Sequence, residues 1–271
     1  MNIFEYADFR QYLREFYQKE KSQNRKFSHR YINQKVGASS SGWFSDLIKA
    51  RNKLSPVYFS KLCNVLGLSH REIEYFEALV AYDEAVTLDD KNRYFEKILS
   101  FKEVSAELIG KDKFEFYSKW YYSAIRELLF FYNFQGNYKE LARKLNPSIP
   151  TSEAKKTVET LKRLGLIKKN SQGCLRPTSE IIKKDSSFKS LGLANLLASQ
   201  MTLGTEALKR FDKEKRDVSS MTISYSEKAF ADVKEELKRV KKKLLTIANK
   251  DTTPSKVYQF NMQMFPITKD D

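Results

Sequence analysis

Histidine and cysteine are nearly missing from this sequence: two of each in 271 residues, His29 and His70, Cys63 and Cys174. So few soft ligands exclude a typical structural zinc site, and no metal is expected. Both cysteines stand among apolar or small neighbours, which reads as inert thiols rather than a disulfide or a nucleophile. A Ser/His/Asp or Cys/His triad would need His29 or His70, and both fall in segments patterned as small helices. Glycine-rich phosphate loops of the GxGxxG or Walker type are absent as well. Carboxylates are plentiful, but their spacing pairs none of them for acid–base work, so no catalytic residue and no cofactor is expected. Long hydrophobic runs are the last absence. Nothing approaches the roughly 20 apolar residues that span a bilayer. The opening MNIFEYADFRQYLREFY carries acids and lacks the basic-then-apolar order of an export signal, so the expectation is a cytoplasmic protein with no membrane partner.

What is present is enough for real cores, with 41% hydrophobic and 13% aromatic residues, alongside 31% charged residues and a mean hydropathy of -0.58. The length suits several modules. The net charge is +15, and such a field attracts polyanions, nucleic acid first. Two windows hold most of it. Arg25 to Lys53 carries Arg25, Lys26, Arg30, Lys35, Lys49, Arg51 and Lys53 against Asp46, while Asn137 to Ser190 carries thirteen bases against five acids.

The first window, FSHRYINQKVGASSSGWFSDLIKARNKLSP, spaces two short helices. In the first, Tyr31, Ile32 and Val36 share a face, Ser28 is a good N-cap and Gly37 suits the left-handed turn that ends a helix. Ser39 to Ser41 then start a second helix with Phe44, Leu47 and Ile48 inside. Gly42, Asp46, Lys49 and Lys53 point away from that stripe, flanked by Ser39, Trp43 and Ser45. Small residues near the start would let the backbone approach a major groove while longer polar ones reach base edges. The candidate DNA contacts here are Ser28, Arg30, Ser39, Ser41, Gly42, Trp43, Ser45, Lys49, Arg51 and Lys53, with Ser28, His29 and Arg30 near phosphates at a helix start. Asp46 would repel phosphate unless it accepts from a cytosine amino group or turns toward a base such as Lys49. Helices carrying Phe9, Tyr12, Leu13, Phe16 and Tyr17 before the pair, then Val57, Phe59, Leu62, Val65 and Leu66, then Ile73, Phe76, Leu79 and Val80, complete a five-helix unit. Its order resembles the lambda-repressor-like helix-turn-helix (HTH) domain.

Beyond residue 83 a charged helical connector with Tyr94, Ile98 and Phe101 precedes an aromatic run, Phe114 to Phe134, with Trp120, Ala124, Leu128 and Phe131 at helical spacing. That run has only Lys119 and Arg126 as bases, so core or subunit interface is the expectation rather than base stacking. The second basic window reads as helix (Tyr138, Leu141, Leu145), turn, helix (Ala154, Val158, Leu161, Leu164), then a hairpin around Asn170 to Gly173, the winged-helix order. Lys155, Lys156, Thr157, Lys162 and Arg163 would lie on or beside its exposed helix face, and Lys168, Lys169 and Arg176 around the wing. Winged helices also dock proteins, so DNA contact does not follow from the fold. The end of the chain reads as an α/β module: SSMTISYS and KVYQFNMQMFPIT as strands, and between them a helix burying Phe230, Val233, Leu237, Val240, Leu244 and Ile247. Two strands cannot stand alone, so packing on that helix or pairing with another chain must complete them. The expected fold is mainly α with a small α+β part: HTH domain over 1–85, connector and aromatic helix over 86–135, winged-helix-like domain over 136–185 and a C-terminal regulatory or dimerisation module over 186–271.

FEYADFRQYL, EYFEALVAYDEA, WYYSAIRELL, KRDVSSMTISYS and VYQFNMQMFPIT, in that order, resemble the Fibrobacter major paralogous family of hypothetical bacterial proteins, whose C-terminal part is a domain of unknown function. The likeness spans nearly the whole chain and implies a transcriptional regulator, with no ligand, target or catalytic residue supplied. Tyr122 stands where that family often has a histidine after its Trp-Tyr pair. The leading expectation is a regulator of double-stranded DNA acting as a homodimer, with an unknown protein or small molecule as its signal. A protein-interaction adaptor and an RNA-binding protein remain the alternatives.

Overall fold

The computed structural model describes residues 1–104, 110–179 and 188–269. They are mainly helical, with one small two-stranded antiparallel sheet. The described residues fall into two compact units, 1–118 with 188–195, and 119–179 with 196–269.

The first unit begins with a 3-10 turn, Ile3–Glu5, and α1, Phe9–Gln23. Asp8 caps α1 by accepting from the Arg10 backbone N–H, and the helix buries Phe9, Tyr12 and Leu13. Then follow α2 (His29–Val36), α3 (Trp43–Ile48), α4 (Pro56–Leu66), α5 (His70–Glu84) and α6 (Leu88–Leu99). Pro56 sits in the first turn of α4, where a missing N–H costs nothing, and Ser69 with Glu72 forms a capping box on α5. Val57, assigned to the buried face of α4, stays exposed in that first turn.

This core is larger than the five-helix unit expected. Phe95, Ile98 and Phe101 of the supposed connector are buried in the same cluster as Tyr75, Phe76 and Leu79. Phe188 closes it from far along the chain, its ring centroid 4.6 Å from that of Phe95 and 5.1 Å from that of Tyr82. Asn92 and Asn195 exchange side-chain hydrogen bonds of 3.0 and 2.8 Å. Ile98 and Phe101 of the expected stripe are buried, with Phe95 in place of half-buried Tyr94.

The aromatic run is two helices rather than one. Lys111–Ser118 (α7) belongs to the first unit and Trp120–Leu128 (α8) to the second, broken by the extended backbone of Lys119. In the second unit, α8 buries Tyr121, Tyr122, Ile125 and Leu128, and α9 (Tyr138–Arg143) and α10 (Thr151–Arg163) add Leu141, Ala142, Ala154, Val158 and Leu161. Strands β1 (Ile167–Lys169) and β2 (Leu175–Pro177) pair Ile167 with Pro177, Lys168 with Arg176 and Lys169 with Leu175. The Asn170 carboxamide oxygen holds the hairpin turn by accepting from the backbone N–H groups of Gln172 and Cys174.

The remainder of this unit holds the second part of α11 (Lys189–Arg210) and α12 (Glu227–Lys250). Here the sequence reading needs correction. The segments SSMTISYS and KVYQFNMQMFPIT form no strand ladder among the described residues. Nor does α12 bury its apolar stripe: none of its residues is buried, and Val240 and Ile247 are 42% and 59% exposed. The Asn261 carboxamide instead donates to the Gln200 carbonyl of α11 at 2.7 Å.

Candidate nucleic-acid interface

The two helices of the first basic window form as α2 and α3, with a different internal logic from the one their apolar spacing suggests. Ser28 caps α2, its hydroxyl accepting from the Tyr31 N–H at 3.2 Å. Gly37 ends the helix at φ 75°, a conformation that glycine adopts without steric cost. Tyr31 was grouped with Ile32 and Val36, yet it is exposed, with its ring 5.4 Å from that of Phe27. Asn33 takes the place on the buried face. Its carboxamide donates to the Ser41 carbonyl at 2.6 Å and accepts from the Phe44 N–H at 3.1 Å. One buried side chain therefore fixes where α3 begins.

The other end of α3 is fixed from α1. Arg10 is buried and donates through Nε to the Leu47 carbonyl at 3.0 Å, while also pairing with Asp83. Arg14 donates to the Ile48 carbonyl at 2.9 Å. These guanidinium groups satisfy carbonyls that a helix end leaves open, at the end where positive charge is favoured. Leu54 N–H donates to Glu84 at 2.8 Å and ties down the following loop.

With those carbonyls capped, α3 is shorter than the reading of Ser39 to Lys53. It stops at Ile48, Lys49 is its C-cap, and Ala50 turns left-handed at φ 57°. The Arg51 N–H closes the turn onto the Asp46 carbonyl at 2.9 Å. Ser39, Ser41, Lys49, Arg51 and Lys53 are exposed, Gly42 and Ser45 half-buried. Arg51 and Lys53 thus lie in the loop after the helix. Asp46 turns toward Arg51, 3.4 Å away, and not toward Lys49. Arg30 is exposed at the start of α2, beside half-buried Ser28. Trp43 must be withdrawn as a contact: it is 6% exposed and packs edge-on against Tyr58 at 5.0 Å.

His29, expected near the phosphates with Ser28 and Arg30, is part of the support in the structure. Its ring lies 4.3 Å from that of Tyr17 and 5.2 Å from that of Phe44. Burial lowers its pKa, with Lys49 and Lys21 adding to the shift. The supporting roles of Asn33, Arg10 and Arg14 were missed because period counting sorts polar residues outward. A pair of arginines four apart on a helix and an asparagine on an apolar face were the available signals.

In the second unit Lys155, Lys156 and Lys162 are exposed on α10, and Lys168 and Lys169 on β1. Thr157 is the exception to the predicted face, being fully buried with Ala154, Val158 and Leu161. Arg176 is also drawn inward. Its Nη1 donates to the carbonyls of Tyr132 at 3.2 Å and Leu129 at 3.4 Å, closing the end of α8. Glu153 sits in the first turn of α10, where the Tyr121 hydroxyl first and the Lys119 ammonium next hold its carboxyl below the usual range. Among the described residues no group of three or more His, Cys, Asp or Glu could hold a metal ion, and no helix is long and apolar enough to cross a membrane.

A family model described as a domain of unknown function, DUF4423, matches residues 101–267, and the chain belongs to that family. The match lies outside α2 and α3. No curated protein and no solved structure matches the chain.

Proposed function

We propose that this DUF4423 chain is a sequence-specific regulator of transcription that reads double-stranded DNA with α2 and α3. The observation that carries the reading is the fixing of α3 at both ends, by Asn33 at its start and by Arg10 and Arg14 at its finish, below a surface of serines and bases. Reading base edges demands a rigid helix presented with little freedom, because a loose one loses the geometry that separates one base from another. Ser39, Ser41, Gly42, Ser45 and Lys49 would meet the groove, with Ser28, Arg30, Arg51 and Lys53 at the phosphates. Lys155, Lys156, Lys162, Lys168 and Lys169 would add a second, less selective contact. The resemblance to the Fibrobacter major paralogous family supports the same reading, and a cytoplasmic site of action goes with it.

Incubating the protein with genomic fragments and sequencing those retained tests this directly. A discrete, enriched site is expected, and log affinity for it should fall linearly with log salt at a slope of roughly -0.9 for each phosphate neutralised. Uniform weak retention would instead favour a protein-docking adaptor, and selective retention of RNA an RNA-binding role.

A further inference from the structure

α12 carries an apolar pattern that its own chain does not use. Phe230, Val233, Leu237, Val240, Leu244 and Ile247 alternate at steps of three and four, the a/d seam of a coiled coil. Phe230, Val240, Leu244 and Ile247 are exposed, and Val233 and Leu237 are half-buried. The helix is formed and capped, with the Ser226 hydroxyl accepting from the Ala229 N–H at 3.3 Å. We propose that this seam is occupied by α12 of a second copy of the chain, running antiparallel, so that the protein is a dimer joined through its C-terminal helix.

Charge identifies the occupant. From Glu227 to Glu236 the helix carries Glu227, Asp232, Glu235 and Glu236 against Lys228 and Lys234; from Lys238 to Lys250 it carries Lys238, Arg239, Lys241, Lys242, Lys243 and Lys250 with no acid. A parallel pair lays the basic halves side by side. An antiparallel pair lays each basic half against the partner's acidic half. The heptad places Phe230 opposite Ile247, Val233 opposite Leu244 and Leu237 opposite Val240, and it brings Glu236 to Lys243 twice along one flank. Lys234 faces Lys241 twice along the other flank, a like-charge cost at the solvated rim where salt screens it.

Further apolar side chains are exposed on the two unladdered segments either side of α12 in sequence, Met221, Ile223 and Tyr225 before it and Tyr258 and Phe260 after it, and the Tyr225 ring lies 6.2 Å from that of Phe230. A membrane surface is a poorer match, since extended segments with unpaired backbone do not enter lipid. The inference stands apart from DNA reading: either can fail while the other holds.

Sedimentation of the full chain at micromolar concentration should give a dimer. Leu237→Glu with Leu244→Glu should give a monomer in which Cys63, buried in the first unit, stays unreactive to a thiol reagent, showing that the core is folded. Glu236→Lys alone should weaken the dimer at least tenfold, and Lys243→Glu added to it should restore the affinity. A wild-type monomer, a tetramer, a dimer that survives the double glutamate substitution, or rescue by Lys241→Glu in place of Lys243→Glu would each overturn the proposal. So would binding to anionic phospholipid vesicles by a chain that stays monomeric.

Discussion

Asn33 occupies a position that an apolar residue would fill in an ordinary helical core, and its two hydrogen bonds hold the start of α3. Asn33→Ala leaves the Phe44 N–H and Ser41 carbonyl without that partner, at a cost of about 1–3 kcal/mol. Thermal melts should register that loss, and affinity for a selected DNA site should fall more than affinity for random DNA. His29 gives a test by pH. Its folded pKa lies below the unfolded value of about 6.5, chiefly through burial. As pH falls through about 6.5 the unfolded chain takes up the proton more readily than the folded one, so this group removes stability in acid and contributes nothing above neutrality. His29→Phe keeps an aromatic ring between Tyr17 and Phe44 without the titration. The loss of melting temperature between pH 7 and pH 5.5 should therefore be smaller in the variant, and an identical loss would contradict this placement of His29.

Among the elements, α3 shows most clearly what its sequence revealed and what it hid. The stripe Phe44, Leu47 and Ile48 was legible by spacing, and all three are buried. The length was not, because the stop depends on Arg10 and Arg14, more than thirty residues earlier in the chain. Ala50 completes the stop in a conformation that costs an L-residue roughly 1–2 kcal/mol. Ala50→Gly relieves that strain but returns about 0.4–1 kcal/mol as freedom of the unfolded chain. A net gain of about 0.5–1 kcal/mol is expected, visible as a higher midpoint in denaturant with an unchanged slope. The wing was readable from its turn residues, since Asn170 to Gly173 between short runs specifies a hairpin whatever surrounds it. Arg176 was not, because its carbonyl partners on Leu129 and Tyr132 come from an aromatic segment read as one continuous helix.

For the whole molecule, the mainly helical class followed from periodicity, but membership of a core did not. Phe188 reaches the cluster around Phe95 from nearly a hundred residues away, which no local pattern encodes. The C-terminal strands were read from alternation alone, and alternation states which side of a segment is apolar without naming its partner. Positive charge was the strongest bulk signal for function, yet charge attracts every polyanion alike, and the central claim is that α2 and α3 discriminate among them. Comparing Lys49→Ala with Arg30→Ala on a selected site and on single-base variants of it tests that claim most directly. Lys49→Ala should lose about 1–3 kcal/mol at the selected site and relax the preference at one base position, while Arg30→Ala should weaken all DNA together and lower the salt slope by about one. A folded Lys49→Ala protein with unchanged affinity and unchanged preference for every variant would contradict the account.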